Sequence, residues 1–184
     1  MGKIALVIGA SGLVGQQLVA QLLNHPEFEK VLIFVRRKSG LVNPKLLEHV
    51  IDFDQTESWS ALVQGDVLFS TLGTTIKTAK TKANQYRVDY TYQYEFARAA
   101  ANNKVPNYVL VSSMGANSKS SVFYSRIKGE LEDAVTQLYF EKLLIFQPSI
   151  LDGNRQEKRA GEKLGLAISR FLTQFVLKNY RPTP

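Results

Sequence analysis

The chain has 184 residues and a mass of 20.6 kDa, which suits one domain with a substantial core, since 45% of its residues are hydrophobic. It contains no cysteine and only two histidines, which excludes a disulfide framework and a thiol nucleophile and leaves no predicted metal site. The formal charge of +7 is concentrated in residues 155–184, where seven Lys or Arg stand against two Glu, so an extended nucleic-acid surface is not predicted.

Neither a membrane span nor a targeting segment is visible in the sequence. No stretch approaches the roughly 18 apolar residues needed to span a bilayer. The N-terminal apolar run leads straight into glycines, without a small-residue cleavage site of the signal-peptide type. We therefore expect a cytoplasmic protein without a transmembrane helix.

Short apolar runs alternate with segments of helical periodicity. The runs are continuous, as is typical of strands buried on both faces of a parallel sheet, and cover residues 4–8, 31–35, 50–53, 67–71, 108–111 and 143–146. Helices are predicted between them, at residues 13–24, 58–63, 84–102 and 122–138. This order predicts an α/β fold with a doubly wound parallel sheet in three αβα layers. We expect one domain over residues 1–184, in which residues 151–184 begin a small substrate-binding or C-terminal region.

A glycine motif joins the first predicted strand to the first predicted helix. Glycine allows a tight turn there and lets the backbone approach a pyrophosphate, which the N–H groups of the helix N-terminus bind. The context predicts a dinucleotide site of the Rossmann type, formed by Gly9, Ser11, Gly12, Leu13, Val14 and Gly15. A glycine-rich turn without a ligand is the alternative.

The end of the second predicted strand distinguishes the two nicotinamide dinucleotides. An NAD site usually places a carboxylate there to bind the ribose 2′-hydroxyl. This chain has Arg36, Arg37 and Lys38 instead, and guanidinium groups suit a 2′-phosphate. The sequence therefore predicts NADP(H), with Arg36 and Arg37 as ligands, and a solvated basic turn is the alternative.

Two further strand ends are expected to contact the cofactor, because ligands of this fold lie at the carboxyl ends of the strands. Asp52 and Phe53 close the third predicted strand and are candidates to bind and pack on the adenine, although Phe53 also suits the core. Leu72 and Gly73 follow the fourth strand, where the backbone passes near the nicotinamide ribose.

Candidate catalytic residues follow the fifth predicted strand. Tyr124 and Lys128 are four residues apart on a predicted helix and so share one face. A Tyr-x-x-x-Lys pair is common by chance, but this one follows a strand that ends in Ser112 and Ser113. The serines and the helix can therefore converge beside a cofactor bound over the sheet.

Seven segments of the chain, in the same order, resemble the short-chain dehydrogenase/reductase superfamily. They are most similar to its atypical, Tat-interacting-protein-type branch of NADPH-binding oxidoreductases, which is related in fold to NAD-dependent epimerases and dehydratases. The segments lie within residues 3–160 and read GASGLVG, FVRRK, STLGTT, RVDY, VSSMGAN, YSRIKGE and QPSILDGNRQEKR.

The resemblance implies a role for each candidate residue. Tyr124 would exchange a proton with the oxygen of a small carbonyl substrate, and Lys128 would bind the nicotinamide ribose. Ser113 would orient the carbonyl, with Ser112 as the other candidate. Leu151, Arg155 and Arg159 match family positions near the cofactor.

The sequence also allows an alternative function and alternative interpretations of two segments. An NADPH-binding regulator that acts through a protein partner needs the glycines and arginines but not the Ser, Tyr and Lys. The aromatic residues 86–96 favour core packing with a substrate-facing tyrosine over base stacking. Residues 164–177 form an apolar helix candidate that suits packing or a homodimer contact, with a membrane-surface helix as the alternative.

Overall fold

A computed structural model describes residues 2–148 of the chain as a six-stranded parallel sheet flanked by helices. The strand order is β3-β2-β1-β4-β5-β6, and every neighbouring pair is parallel. The strands are β1 (Lys3–Ile8), β2 (Phe28–Val35), β3 (Leu46–Val50), β4 (Val67–Ser70), β5 (Asn107–Val111) and β6 (Lys142–Phe146). The predicted doubly wound Rossmann sheet is thereby confirmed.

Helices connect each strand to the next, except that an extended segment leads from β2 to β3. They are α1 (Leu13–Asn24), α2 (Thr56–Trp59), α3 (Ile76–Ala79), α4 (Lys82–Tyr86), α5 (Tyr92–Asn102) and α6 (Phe123–Val135). Helix α1 packs on one face of the sheet, and α2, α5 and α6 pack on the other. A 3₁₀ turn, Ser60–Leu62, extends α2. Residues 74–82, which follow β4, contain α3 and the first residue of α4.

Two hydrophobic cores cover the two faces of the sheet. On one face Leu18 and Leu22 of α1 pack on β1, β2 and β4. On the other face Trp59 and Phe96 stack with ring centroids 4.0 Å apart, and Phe96 also meets Phe34 edge-on at 5.1 Å. Phe96 is fully buried, so the core-packing interpretation of the aromatic segment is confirmed for this residue.

The third strand lies earlier in the chain than predicted. The apolar run at residues 50–53 suggested a buried strand, but β3 spans Leu46–Val50 and forms an edge of the sheet. Because this edge strand is only half-buried, it contains Glu48 and His49 and lacks the continuous apolar pattern. The chain leaves the sheet after Ile51, whose N–H donates to Val35 O, and Asp52 then begins a turn.

The helix predicted over residues 84–102 is interrupted by a π-helical segment, Arg87–Thr91, between α4 and α5. Such wide turns commonly occur at functional sites because they redirect side chains. Asp89 lies in this segment and is fully buried. The periodicity of the apolar residues did not indicate this interruption.

The order of the strands reverses between β1 and β4, which opens a crevice at their carboxyl ends. The glycine motif, the residues after β4 and the π-helical segment all meet this crevice. Within residues 2–148, no helix combines the length and apolar character required to cross a membrane.

Candidate cofactor-binding and active site

The turn between β1 and α1 is built around glycine. Gly9 has a φ of +82°, and a Cβ atom there would lie 2.5 Å from the backbone nitrogen of Leu72. A Cβ on Gly15 would overlap the carbonyl oxygen of Gly9, which explains the close approach of α1 to β1. Both positions therefore require glycine, and the backbone is left open on the side of the crevice.

The N-terminus of α1 faces the same turn and has no side-chain cap. Gly12 is the N-cap residue, and the first turn of this 12-residue helix carries no acidic side chain. Its N–H groups and the positive end of the helix dipole therefore stay available to an anion. Together with the glycine turn, they fit the pyrophosphate of a dinucleotide.

A cavity of about 390 Å³ opens beside this turn, which is within the range of small-molecule sites. It brings together seven of the predicted cofactor residues, which are Gly9, Ser11, Gly12, Arg36, Phe53, Leu72 and Gly73. Eight further residues complete the lining, namely Thr71, Thr74, Thr78, Ala79, Asn84, Arg87, Val88 and Tyr92. Among these residues the charged side chains are Arg36 and Arg87, so the cavity is cationic.

Several predicted cofactor residues do not line this cavity. Leu13 is exposed, Val14 packs against the α1 side of the core, and Gly15 is buried at the contact between α1 and β1. Arg37 is exposed after β2, beside Arg36. Leu151, Arg155 and Arg159, like the helix candidate at residues 164–177, lie outside the described residues.

Asp52 and Phe53 have different environments. The Asp52 carboxylate accepts the N–H of Asp54, and its carbonyl accepts the indole N–H of Trp59, so this residue organises the turn after β3. Phe53 both lines the cavity and packs on the core, with its ring 5.2 Å from Tyr92 and 5.5 Å from Phe96. Phe53 therefore belongs to the core and also borders the cavity, and its packing on the adenine stays a prediction.

Lys128 forms a buried ion pair that the sequence did not predict. Its Nζ lies 3.0 Å from the Asp89 carboxylate, and the side chains are 3% and 0% exposed. The Lys128 Nζ also lies 5.9 Å from the centre of the Tyr124 ring. The predicted Tyr and Lys therefore share one face of α6, and the lysine is fixed by a carboxylate from the π-helical segment.

Further hydrogen bonds hold Asp89 in place. The Thr74 N–H donates to its carboxylate at 3.2 Å, and the Gln93 amide donates to its carbonyl at 2.9 Å. Gln93 in turn accepts the hydroxyl of Ser70, at the end of β4. Burial raises the pKa of the Asp89 carboxyl above its usual range, whereas the Lys128 ammonium and the Thr74 N–H oppose this rise.

Gly73 connects the cavity to the lysine. A Cβ atom at Gly73 would lie 3.4 Å from the Asp89 carboxylate and 4.0 Å from the Lys128 Nζ. Gly73 also lines the cavity, so the ion pair stands at the end of the cavity near the β4 loop. A ligand that extends from the glycine turn along the carboxyl ends of the strands therefore approaches Lys128.

The two serines that follow β5 are buried. Ser112 is 6% exposed, and its hydroxyl has no hydrogen-bond partner among the described residues. The Ser113 hydroxyl contacts the Met114 carbonyl at 3.4 Å. Both hydroxyls therefore keep hydrogen-bonding capacity for a ligand.

Sequence reasoning missed Asp89 and Arg87 as site residues, although both belong to the segment RVDY. A signal for Asp89 was present: Gln85, Asp89 and Gln93 recur every four residues on a face that proves to be buried. Polar residues on a buried face require partners, which identifies a hydrogen-bonded network. No local signal placed Arg87 in the cavity.

Comparisons with known proteins agree with this geometry. The model of a family described as NAD(P)H-binding matches residues 9–144. The mitochondrial protein fmp52 of Aspergillus fumigatus is 37% identical over 169 residues, which cover 88% of this chain and 72% of the relative. Protein FMP52, mitochondrial, of Candida albicans is 35% identical over 169 residues, which cover 89% and 72%.

Solved structures share the fold at low sequence identity. A short-chain dehydrogenase from Burkholderia cenocepacia in complex with NADP has a TM-score of 0.68 to this chain and is 19% identical, and the match covers 91% of this chain and 84% of that one. The Bordetella bronchiseptica enzyme WbmH in complex with NAD+ has a TM-score of 0.67 and is 16% identical. The match covers 80% of this chain but only 56% of WbmH, so the chain spans little more than half of that enzyme.

The names of the fungal relatives correct the expected location. The sequence suggested a cytoplasmic protein, but relatives that are 35–37% identical over most of this chain are named mitochondrial. The expectation was wrong because composition and hydropathy report on folding and bilayer insertion, and neither identifies the compartment of a folded protein.

Proposed function

Because the chain belongs to the NAD(P)H-binding family of atypical short-chain dehydrogenase/reductase proteins, we propose that it is an NADP(H)-dependent oxidoreductase that reduces a small carbonyl compound. The observation that carries this proposal is the continuity of the site. One cavity contains the glycine turn and Arg36, and its Gly73 wall lies against the buried Lys128–Asp89 pair.

The preference for NADP(H) rests on Arg36. This side chain lines the cavity, and no carboxylate does so among the described lining residues. A guanidinium stabilises a 2′-phosphate through charge-assisted hydrogen bonds, whereas a ribose hydroxyl normally pairs with a carboxylate. When bound, NADP(H) supplies the hydride for the carbonyl carbon.

The chain's own residues supply the remaining chemistry. In this proposal the Tyr124 hydroxyl donates the proton to the carbonyl oxygen, and Ser113 donates a hydrogen bond to the same oxygen as negative charge develops. Lys128 binds the nicotinamide ribose with its ammonium group. Asp89 keeps that ammonium in one orientation, since the lysine is buried and its carboxylate partner is held by Thr74 and Gln93.

The test begins with cofactor binding by the full chain. Calorimetric titration with NADPH and NADH should show tighter binding of NADPH, and Arg36→Ala should remove that preference. Arg98→Ala is the matched control, because Arg98 is half-exposed, pairs with Glu95 on α5 and does not line the cavity. Equal binding of the two dinucleotides by the unaltered protein would contradict the proposed preference.

Turnover is then measured as NADPH oxidation with a panel of small aldehydes and ketones. Tyr124→Phe should abolish turnover while NADPH binding stays unchanged, because the ring is retained and the proton donor is lost. The alternative, an NADPH-binding regulator, would be indicated if the protein binds NADPH, turns over no carbonyl compound and retains a protein partner only when NADPH is present.

The fungal relatives also support a mitochondrial location within this proposal, since their names assign them to that compartment. Fractionation of cells that express the full-length protein provides the test. Recovery of the protein in the cytosolic fraction alone would contradict this part of the proposal.

A further inference from the structure

Arg87 provides a second cation in the cofactor cavity. It lies in the π-helical segment that follows α4, whereas Arg36 follows β2, so the two side chains reach the cavity from different elements. The Arg87 side chain is 56% exposed. None of the sequence motifs that predicted the dinucleotide site included this residue as a ligand.

Neighbouring side chains position Arg87 without neutralising it fully. Its Nη1 lies 3.6 Å from the Asp54 carboxylate, which is itself half-exposed, and such exposed pairs are weak. The other Asp54 carboxylate oxygen accepts the Tyr92 hydroxyl at 3.0 Å. Asp54 does not line the cavity, whereas Arg87 and Tyr92 do.

The π-helical segment explains why Arg87 stays at the cavity wall. Asp89, two residues later, is fixed by Lys128 and by the Thr74 N–H. Residues two apart on a helix point in different directions, so anchoring Asp89 in the interior leaves Arg87 on the cavity side. The same segment therefore supplies the carboxylate that orients the lysine and a guanidinium that lines the cavity.

We propose that Arg87 binds the adenosine 2′-phosphate of NADP(H) together with Arg36. This inference rests on the proposed function and adds a second phosphate ligand to it. A phosphate group offers three oxygens, and two guanidinium groups satisfy them with more directional hydrogen bonds than one. The five N–H donors of a guanidinium leave Arg87 able to keep its Asp54 contact while it binds phosphate.

The test separates the phosphate from the rest of the cofactor by using four ligands. NADPH and 2′,5′-ADP carry the 2′-phosphate, whereas NADH and 5′-AMP lack it. Dissociation constants are measured by calorimetry for the unaltered full chain and for Arg87→Ala, Arg87→Lys, Arg36→Ala and the control Arg98→Ala. Thermal unfolding of each variant establishes that it is folded.

Arg87→Ala should raise the dissociation constants of NADPH and 2′,5′-ADP about tenfold, as expected for the loss of one charge-assisted hydrogen-bonding group. The same variant should change the dissociation constants of NADH and 5′-AMP by less than about twofold, because these ligands lack the phosphate that Arg87 binds in this proposal. Arg87→Lys should restore only part of the loss, because an ammonium cannot bind phosphate through two parallel hydrogen bonds. Arg98→Ala should bind all four ligands as the unaltered protein does.

Two results would overturn the inference while leaving the proposed function intact. Unchanged NADPH affinity in a folded Arg87→Ala variant, with the preference still lost in Arg36→Ala, would mean that Arg36 acts alone. Equal weakening of NADPH and NADH would mean that Arg87 contacts the adenine or the pyrophosphate. If the unaltered protein shows no preference for 2′-phosphate ligands, the inference and the proposed cofactor fail together.

Discussion

The ammonium of Lys128 lies 3.0 Å from the carboxylate of Asp89, and both side chains are almost completely buried. A buried pair of this kind costs a large desolvation free energy, which the mutual attraction and the hydrogen bonds to Asp89 offset. Such a pair contributes little net stability compared with apolar residues, but the removal of one partner leaves a buried charge without compensation. Its value in this fold is the fixed orientation of Lys128 at the end of the cavity.

The double-mutant cycle of this pair should therefore be strongly non-additive. Lys128→Met should lower the free energy of unfolding by about 3 kcal/mol at pH 7, because Asp89 becomes an unpaired buried carboxylate. Combining Lys128→Met with Asp89→Leu should recover most of that loss. Urea unfolding of both single variants and the double variant measures the coupling.

The loss in Lys128→Met should also depend on pH. Burial raises the pKa of Asp89 in the folded protein, and removal of the ammonium raises it further. A raised folded pKa gives stability that is present below the unfolded pKa and is lost as the pH rises through the folded pKa. The destabilisation should accordingly shrink toward pH 4. A loss of unfolding free energy that stays constant between pH 4 and pH 8 would contradict the role of the unpaired carboxylate. So would losses in the two single variants that add up to the loss in the double variant. Lys119→Met, at an exposed lysine, serves as the control.

Substitutions at two glycines with left-handed backbone test the turn between β1 and α1. Gly9 has a φ of +82° and Gly40 a φ of +76°, but a Cβ atom would meet backbone at 2.5 Å at Gly9 and nothing within 4 Å at Gly40. Gly40→Ala should cost about 1–2 kcal/mol, which is the backbone cost of the left-handed region. Gly9→Ala should cost more and also weaken NADPH binding. Equal losses in thermal unfolding would show that the close contact with Leu72 contributes nothing.

Tyr86 should make the stability of the protein depend on alkaline pH. Partial burial, together with the nearby Glu130 carboxylate, raises the pKa of Tyr86 to about 12. The folded pKa lies above the unfolded value of about 10. Stability should be fully present below pH 10 and fall between pH 10 and pH 12, and Tyr86→Phe should reduce this fall. Calorimetric scans over that range provide the measurement, and the same change at the exposed Tyr139 should not alter the profile.

Phe96 links the hydrophobic core to the cavity. Its ring contacts Trp59, Phe34 and Phe53, and Phe53 lines the cavity. Phe96→Ala should lower the free energy of unfolding by about 3–5 kcal/mol, as usual for a deleted core aromatic ring. It should also weaken NADPH binding because Phe53 loses its support. Full NADPH affinity in the folded variant would show that the position of Phe53 does not depend on Phe96.

The sequence by itself determined five of the six strands, the helices α1 and α6 and the glycine motif, whereas β3 lacks the apolar pattern and lies earlier than predicted. Each of these follows from local patterns: apolar continuity for buried strands, helical spacing for α1 and α6, and the requirement for glycine at the β1–α1 turn. Of the predicted cofactor ligands, Arg36 and Gly73 lie in the cavity, whereas Arg37 and Asp52 do not. Their roles, and those of Tyr124 and the serines, remain predictions.

Only the tertiary structure decided which polar side chains meet. Tyr92 and Asp54 are 38 residues apart in the sequence, yet their hydrogen bond positions a wall of the cavity. The four-residue spacing of Gln85, Asp89 and Gln93 marks a buried polar face, but it does not identify the partner of Asp89, because Lys128 lies on a different helix. Local patterns report how each residue is buried relative to its neighbours in sequence. The pairing of charges depends instead on how separate elements pack, and that packing is set by the whole sheet and its two cores.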